Sequence, residues 1–308
     1  MRAVVFSSFG GPEVLRVTQL PTPEPGPGQL RIRVAAATVN PVDLAARAGA
    51  FGPGLPPGEY VAGWDVAGTV DAVGPGVSRF ATGDLVAGLS QWFHGHVGTH
   101  AEYVVLAEES VAAVPEGLSA VQAATVPLNA LTATQVLDLA GLSEGRSFAV
   151  TGAAGAVGGY AVQLAALRGL HVVALAGAED EQLVRDLGAE TFVPRSDDPA
   201  GALRAATPSG VDGAVDPANL GAPAIAAVRD GGVFVAVTGH GAPPAERDIQ
   251  VHTMLVRPDG AALDGLLRLA ASGRLAVRVA QTYPFEQAAQ AHARMAGGGV
   301  RGRLVLVP

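Results

Sequence analysis

The chain has 308 residues, enough for two domains, and its 49% hydrophobic and 16% charged content excludes a disordered polymer. A formal net charge of -8 argues against a basic nucleic-acid-binding surface. The sequence contains neither cysteine nor lysine, which excludes disulfides, thiolate nucleophiles, cysteine-bound metals and Schiff-base lysines.

Taken in chain order, the first third is β-prone. Runs at 2–6, 29–34, 66–73, 85–89 and 102–105 are short and separated by Pro and Gly, as in the stretch 21–28. Such turn-rich β structure predicts a distorted barrel. The apolar opening at 2–6 is too short for a signal peptide, and no apolar run is long enough to span a bilayer. A cytoplasmic protein with no membrane partner is expected.

The pattern changes near Leu118. Ser119 is placed to cap a helix over 120–124. Strands at 147–151, 171–176, 211–215 and 233–237 then alternate with helices reaching 167, over 179–187 and over 222–228. That alternation predicts a parallel sheet with helices on both faces, the doubly wound α/β class. Helices over 261–271 and 285–295 and a strand at 303–307 complete the chain.

The most informative segment joins the first of these strands to its helix. After Thr151, Gly152, Gly155 and Gly158 recur every third residue, with Ala153, Ala154, Ala156 and Val157 between them. Glycine permits a tight turn and close approach of backbone to a pyrophosphate, and the following helix N-terminus offers N–H donors to it. The spacing differs from the commoner Gly-x-Gly-x-x-Gly, and a plain tight turn is the alternative.

The run from Thr151 to Gly158, with Gln163 beyond it, resembles the cofactor turn of medium-chain dehydrogenase/reductases, in particular their zinc-free quinone oxidoreductase branch. Matching segments extend along the chain: Met1 to Val5, Gly10 to Leu15, Asn40 to Asp43, Gly63 to Val70, Ala101 to Val104, Pro127 with Thr132, Ala288 to His292 and Arg301 to Leu306. The resemblance implies a GroES-like β-barrel catalytic domain over 1–120 and 259–308, a Rossmann cofactor-binding domain over 121–258, and an active site in the cleft. It also implies a homodimer through the sheet edge near 249–256.

Zinc-dependent relatives carry Gly-His-Glu where this chain has Gly63-Trp64-Asp65, and no cysteine ligand exists. His94, His96 and His100 cluster, and a polar loop touching substrate is favoured over a metal site. No metal is expected. Carbonyl polarisation must then come from hydrogen bonds, the nicotinamide or water, which suits quinones and enones.

Coenzyme choice is read at the end of the second Rossmann strand. Ala176 stands there in place of the acid that would bind ribose hydroxyls, which leans towards NADPH. Glu179, Asp180 and Glu181 pull towards NADH: a like charge 5 Å from a 2′-phosphate costs about 3 kcal/mol at an effective dielectric of about 20. The same acids equally suit the start of a helix. Arg195 is a candidate to compensate. NADPH is the expected cofactor, with NADH as the alternative.

Site residues follow from the same resemblance. Asn40, Asp43 and Thr132 are catalytic candidates, with Asp43 read first as a helix cap. Thr132, Gly152, Ala154, Gly155, Ala156, Val157, Gly158, Gly177, Arg195 and Thr238 are cofactor-binding candidates. Asn40, Trp92, Phe93 and His94 are substrate candidates, the aromatics as walls of an apolar pocket. Asn129 and His240 are weaker, and Asp65 is read as structural. The expected reaction is hydride transfer from NAD(P)H to a quinone or similar conjugated carbonyl. The rivals are an enone or enoyl-thioester reductase of secondary metabolism, and a cofactor-binding protein with little turnover.

Overall fold

The computed structural model describes residues 1–51, 58–96, 98–238 and 241–308, apart from the His94 side chain. They form two units: Met1–Leu128 with Arg257–Pro308, and Asn129–Val256.

The first unit begins with β1 (Arg2–Phe6), β2 (Arg16–Gln19), β3 (Gln29–Val39), α1 (Pro41–Arg47), β4 (Tyr60–Val61), β5 (Asp65–Val73) and β6 (Leu85–Leu89). The short α2 (Trp92–Gly95), β7 (Tyr103–Ala107), β8 (Val111–Ala113) and α3 (Ala120–Ala123) follow. Ser119 caps α3, accepting from the Gln122 N–H at 3.2 Å. β3 alternates at first, with Leu30, Ile32 and Val34 inward and Arg33 outward. Beyond Val34 every residue but one is buried, so the alternation that marks a strand in sequence is lost. A register shift between Val34 and Ala36 against β5 marks the change. This is why β3 runs five residues past the expected 34.

In the second unit, α4 (Pro127–Ala140) enters from the first, and β9 (Ser147–Thr151), α5 (Ala156–Leu167), β10 (His171–Ala176), α6 (Glu181–Asp186) and β11 (Thr191–Pro194) follow. Then come α7 (Pro199–Ala206), β12 (Val211–Asp216), α8 (Ala222–Ile225), β13 (Val228–Ala236) and β14 (Gln250–Thr253). Six parallel strands lie in the order β11-β10-β9-β12-β13-β14. The order reverses between β9 and β12, the switch point where open α/β sheets bind ligands. The helix expected over 222–228 is shorter, because Val228 already pairs with Val211.

The chain returns to the first unit with α9 (Gly260–Ala271), β15 (Val279–Pro284), α10 (Ala288–Ala296) and β16 (Arg303–Val307). β16 pairs antiparallel with β3, Leu304 opposite Val39 and Leu306 opposite Ala37. The larger sheet runs β15-β16-β3-β5-β6-β8, with β7 also on β3, and a smaller one runs β2-β1-β4. One core cluster joins Val4 and Val39 to Phe285, Ala291 and Leu306, so the last fifty residues complete a core begun by the first forty. No helix among the described residues is long and apolar enough to cross a membrane.

Candidate active site

In the first unit the turn from β3 into α1 carries a buried polar nest. Pro41 starts α1 with its φ preset. Asp43, one turn in, accepts from the Asn40 N–H at 2.6 Å and from the Gly63 N–H at 2.7 Å. It therefore caps α1 and ties it to the strand entry at Gly63. Gly63 has φ +107, and a Cβ there would lie 2.4 Å from Thr99 Oγ1, so no larger residue fits. Burial pushes the Asp43 carboxyl up to about 8, against the pull of those two N–H donors.

Asn40 is fully buried. Its amide nitrogen donates to Asp65 Oδ2 at 2.9 Å, and its Oδ1 accepts from Arg303 Nη2 at 2.5 Å. Thr38 Oγ1 also donates to Asp65, and Arg303 Nη2 donates to Thr38 Oγ1 at 2.8 Å. Asp65 Oδ1 accepts from the Leu128 N–H. Arg303 is 2% exposed and Asp65 fully buried, at 3.5 Å from each other. Burial raises the Asp65 carboxyl, and the Arg303 cation opposes that shift. Asp65 has the structural part expected of it. Arg303 and Thr38 were not singled out in the sequence. The signals for Arg303 were its place in the matching segment Arg301 to Leu306 and a cation heading an apolar terminal strand.

Trp92 and Phe93 lie on the helical turn α2, not in an open loop. Trp92 is wholly buried, its indole donating to Val61 O at 2.7 Å and its ring 5.0 Å from Trp64. It is a core side chain with no surface to offer a ligand. Phe93 is 39% exposed and stands edge-on to Phe51 at 4.9 Å. Of the three histidines, two have described side chains, and these sit in different surroundings. His100 is fully buried, its Nε2 3.0 Å from Thr38 O, and burial lowers it to about 4. His96 packs against the Trp92 ring at 5.2 Å, and the His94 side chain lies outside the described residues.

In the second unit, the turn between β9 and α5 holds the glycine run. Gly152 takes φ +55, and Gly155 is the N-cap of α5. A Cβ at Gly158 would sit 2.2 Å from Gly152 O, so helix and strand meet only because that residue is glycine. The first intrahelical bond is made by the Gly159 N–H to Gly155 O, so the amides of Ala156, Val157 and Gly158 precede the ladder. Ala154 is buried beneath them. These residues fit a dinucleotide pyrophosphate: three amides ahead of the helical ladder, a helix N-terminus, and no side chain at Gly155 or Gly158.

At the end of β10, a Cβ on Gly177 would lie 2.6 Å from both oxygens of Glu179, so that carboxylate folds over Gly177. The expected helix over 179–187 starts as a 3-10 turn at Ala178–Asp180 before α6. Arg195, exposed just after β11, donates its N–H to Ala176 O at 2.6 Å. Thr132 and Asn129 are buried in α4. Thr238 Oγ1 donates to Asn219 Oδ1 at 2.9 Å, and His240 lies outside the described residues.

Two family models match, one described as an alcohol dehydrogenase GroES-like domain over residues 26–116 and one as a zinc-binding dehydrogenase over 187–306. The NADPH-dependent alkenal/one oxidoreductase of Arabidopsis thaliana is 32% identical over all of this chain and 80% of its own length. The chain belongs to the medium-chain dehydrogenase/reductase superfamily. Within it the chain falls in the zinc-free quinone oxidoreductase-like branch. The quinone oxidoreductase homolog of spinach is 38% identical over 62% of this chain, which spans only 60% of that relative's length. A quinone oxidoreductase structure from Coxiella burnetii superposes with TM-score 0.89 at 29% identity, over all of this chain and 99% of the other. The GroES-like and Rossmann assignments follow for the two units. The zinc named in one family description does not fit these residues: the chain has no cysteine, and Trp64 replaces the histidine of the zinc-dependent pattern. Among the described residues no group of three His, Asp or Glu side chains is placed to hold a metal.

Proposed function

We propose that the chain is a zinc-independent oxidoreductase that uses NADPH, and less efficiently NADH, to reduce a quinone or a similar conjugated carbonyl. The observation that carries this reading is the Gly152–Gly158 turn at the switch point of the six-stranded sheet, on a chain that has no cysteine and, among its described residues, no trio of His, Asp or Glu placed to hold a metal. The 129–256 unit is the cofactor-binding domain, and the rest is catalytic. When bound, the dihydronicotinamide supplies hydride. The Ala156–Gly158 amides hold the pyrophosphate, with Gly152, Ala154 and Gly155 shaping its path, and Thr132 and Thr238 flank the nicotinamide end. Phe93 borders the acceptor. Asn40 and Asp43 act as positioning residues, because their side-chain atoms are committed to the buried nest.

The coenzyme reading balances two groups at the end of β10. Arg195 favours the 2′-phosphate of NADPH, while Glu179, folded against Gly177, opposes it. Their opposition predicts a modest preference. Arg195→Ala should lower kcat/KM for NADPH alone, and Glu179→Gln should raise it. Equal effects on NADH and NADPH would refute both assignments. A cytoplasmic location belongs to the same reading.

The deciding experiment is NADPH oxidation by the purified protein against a panel of quinones, enones and enoyl thioesters. Turnover of quinones or enones is expected. Tight NADPH binding with no turnover of any acceptor would instead favour a binding protein, and turnover confined to enoyl thioesters would move the substrate class.

A further inference from the structure

We propose that Asp216, acting through the Thr151 hydroxyl, is a positioning residue that sets the glycine turn in its pyrophosphate-binding shape. The inference rests on the reading that the turn binds a dinucleotide. Asp216 ends β12 and is 1% exposed. Its two oxygens face different partners. Oδ1 accepts from Thr151 Oγ1, the last residue of β9, at 2.5 Å. Oδ2 accepts from the Gly221 N–H at 2.8 Å. Thr151 Oγ1 in turn accepts from the Ala218 N–H at 3.2 Å. One carboxylate and one hydroxyl thus bind the end of β9 to the loop 217–221.

That loop is what the turn leans on. Gly152 sits at φ +55, and a Cβ on it would meet the Ala218 Cβ at 3.3 Å and the Ala218 nitrogen at 3.5 Å. The same loop carries Asn219, in a left-handed conformation with φ 54, whose Oδ1 accepts from Thr238 Oγ1 at the end of β13. Asn219 also donates its N–H to Asp216 O at 3.3 Å, so hydrogen bonds run from Thr151, next to the glycine turn, through Asp216 and Asn219 to Thr238. The sheet ladder already pairs β9, β12 and β13 as far as Val150 with Val215 and Asp216 with Ala236, and the clamp carries the tie beyond it into the turn and the loop. Without the clamp, Gly152 keeps its freedom in φ and the Ala156–Gly158 amides lose their common aim.

The test uses Thr151→Val, which keeps the shape and deletes the hydroxyl, Thr151→Ser, which keeps the hydroxyl, and Asp216→Asn. NADPH binding is measured by calorimetry, alongside KM, kcat and melting temperature. Thr151→Val and Asp216→Asn should weaken NADPH binding and raise its KM at least tenfold with kcat within threefold. Thr151→Ser should bind within threefold of the parent. The proposal is overturned if Thr151→Val binds NADPH like the parent, whatever its melting temperature, or if Thr151→Ser fails as badly as Thr151→Val. Failure of the parent protein itself to bind NADPH would instead sink the dinucleotide reading on which the clamp rests.

Discussion

Gly155 and Gly158 look alike in sequence, yet their surroundings ask different things of them. A Cβ at Gly158 meets backbone oxygen at 2.2 Å, so any side chain there forces helix and strand apart. At Gly155 the nearest atom to a Cβ is Gly152 O at 3.0 Å, a contact that small shifts relieve. Asp at position 155 is also a good N-cap for α5. Gly155→Asp should therefore leave melting temperature nearly unchanged while lowering NADPH affinity more than tenfold, or more than about 1.4 kcal/mol, by placing an anion against the pyrophosphate. Calorimetry with a thermal melt checks both halves, and parental affinity would refute the pyrophosphate assignment. A second residue-scale prediction comes from two buried histidines. Burial lowers His100 to about 4, and burial, with His100 and Arg47 nearby, lowers His292 to about 2. Both are fully buried, with rings 6.1 Å apart. An unfolded chain takes up these protons near pH 6.5, whereas the folded protein excludes them until far lower pH. The two histidines' contribution to stability is thus whole above about pH 6.5 and falls on acidification, by about 2 kcal/mol for each at pH 5. Burial also raises the Asp43 carboxyl to about 8, which acts in the opposite sense over the same range, so the test is a difference between two proteins. Between pH 7.5 and pH 5 in urea unfolding, His292→Leu should gain about 2 kcal/mol relative to the parent, and an identical pH dependence of the two would contradict the burial argument.

At the scale of elements, legibility followed locality. The β9 turn and α5 were readable because the glycine spacing lies within one supersecondary unit. α4 was not, because 126–133 is buried throughout and leaves no exposed polar face to set a helical period. β15 was missed for the opposite reason: most of Val279–Pro284 is exposed, so nothing in its pattern points to a core. The pairing of β16 with β3 joins residues some 265 positions apart, as in the Arg303 to Thr38 bond, and no local signal carries such a contact. For the same reason Asn40 was legible as a site residue while its partner Arg303 was not. Asp65 depends on that returning strand for its countercharge. Arg303→Leu should leave Asp65 buried and unpaired and cost about 3–5 kcal/mol. Adding Asp65→Asn removes the charge, so the double variant should recover part of the loss. Denaturant titration of parent, single and double variants measures the coupling, and strictly additive effects would show that the pair does not act as one.

At the scale of the whole molecule, an open sheet leaves an edge to manage. β14 is the last strand of the six and, among the described residues, pairs only with β13. Just beyond it Leu255 is 71% exposed, the most exposed of the large hydrophobic side chains described. An uncovered edge with an apolar residue beside it invites pairing with another strand. We propose a second copy of the same edge as that partner, since antiparallel pairing about a two-fold axis would satisfy both β14 edges. Two six-stranded sheets would then run on as one of twelve. Such an interface would place no demand on the glycine turn, which sits at β9 in the middle of the sheet order. Association and cofactor binding should therefore separate on mutation. Sedimentation at micromolar concentration should give twice the chain mass for the parent. Leu255→Arg, which sets a charge against its symmetry mate, should shift the protein to monomer with NADPH affinity within about twofold. A parent that sediments as a monomer would refute the edge-strand dimer outright, and a dimer untouched by Leu255→Arg would move the interface to another surface.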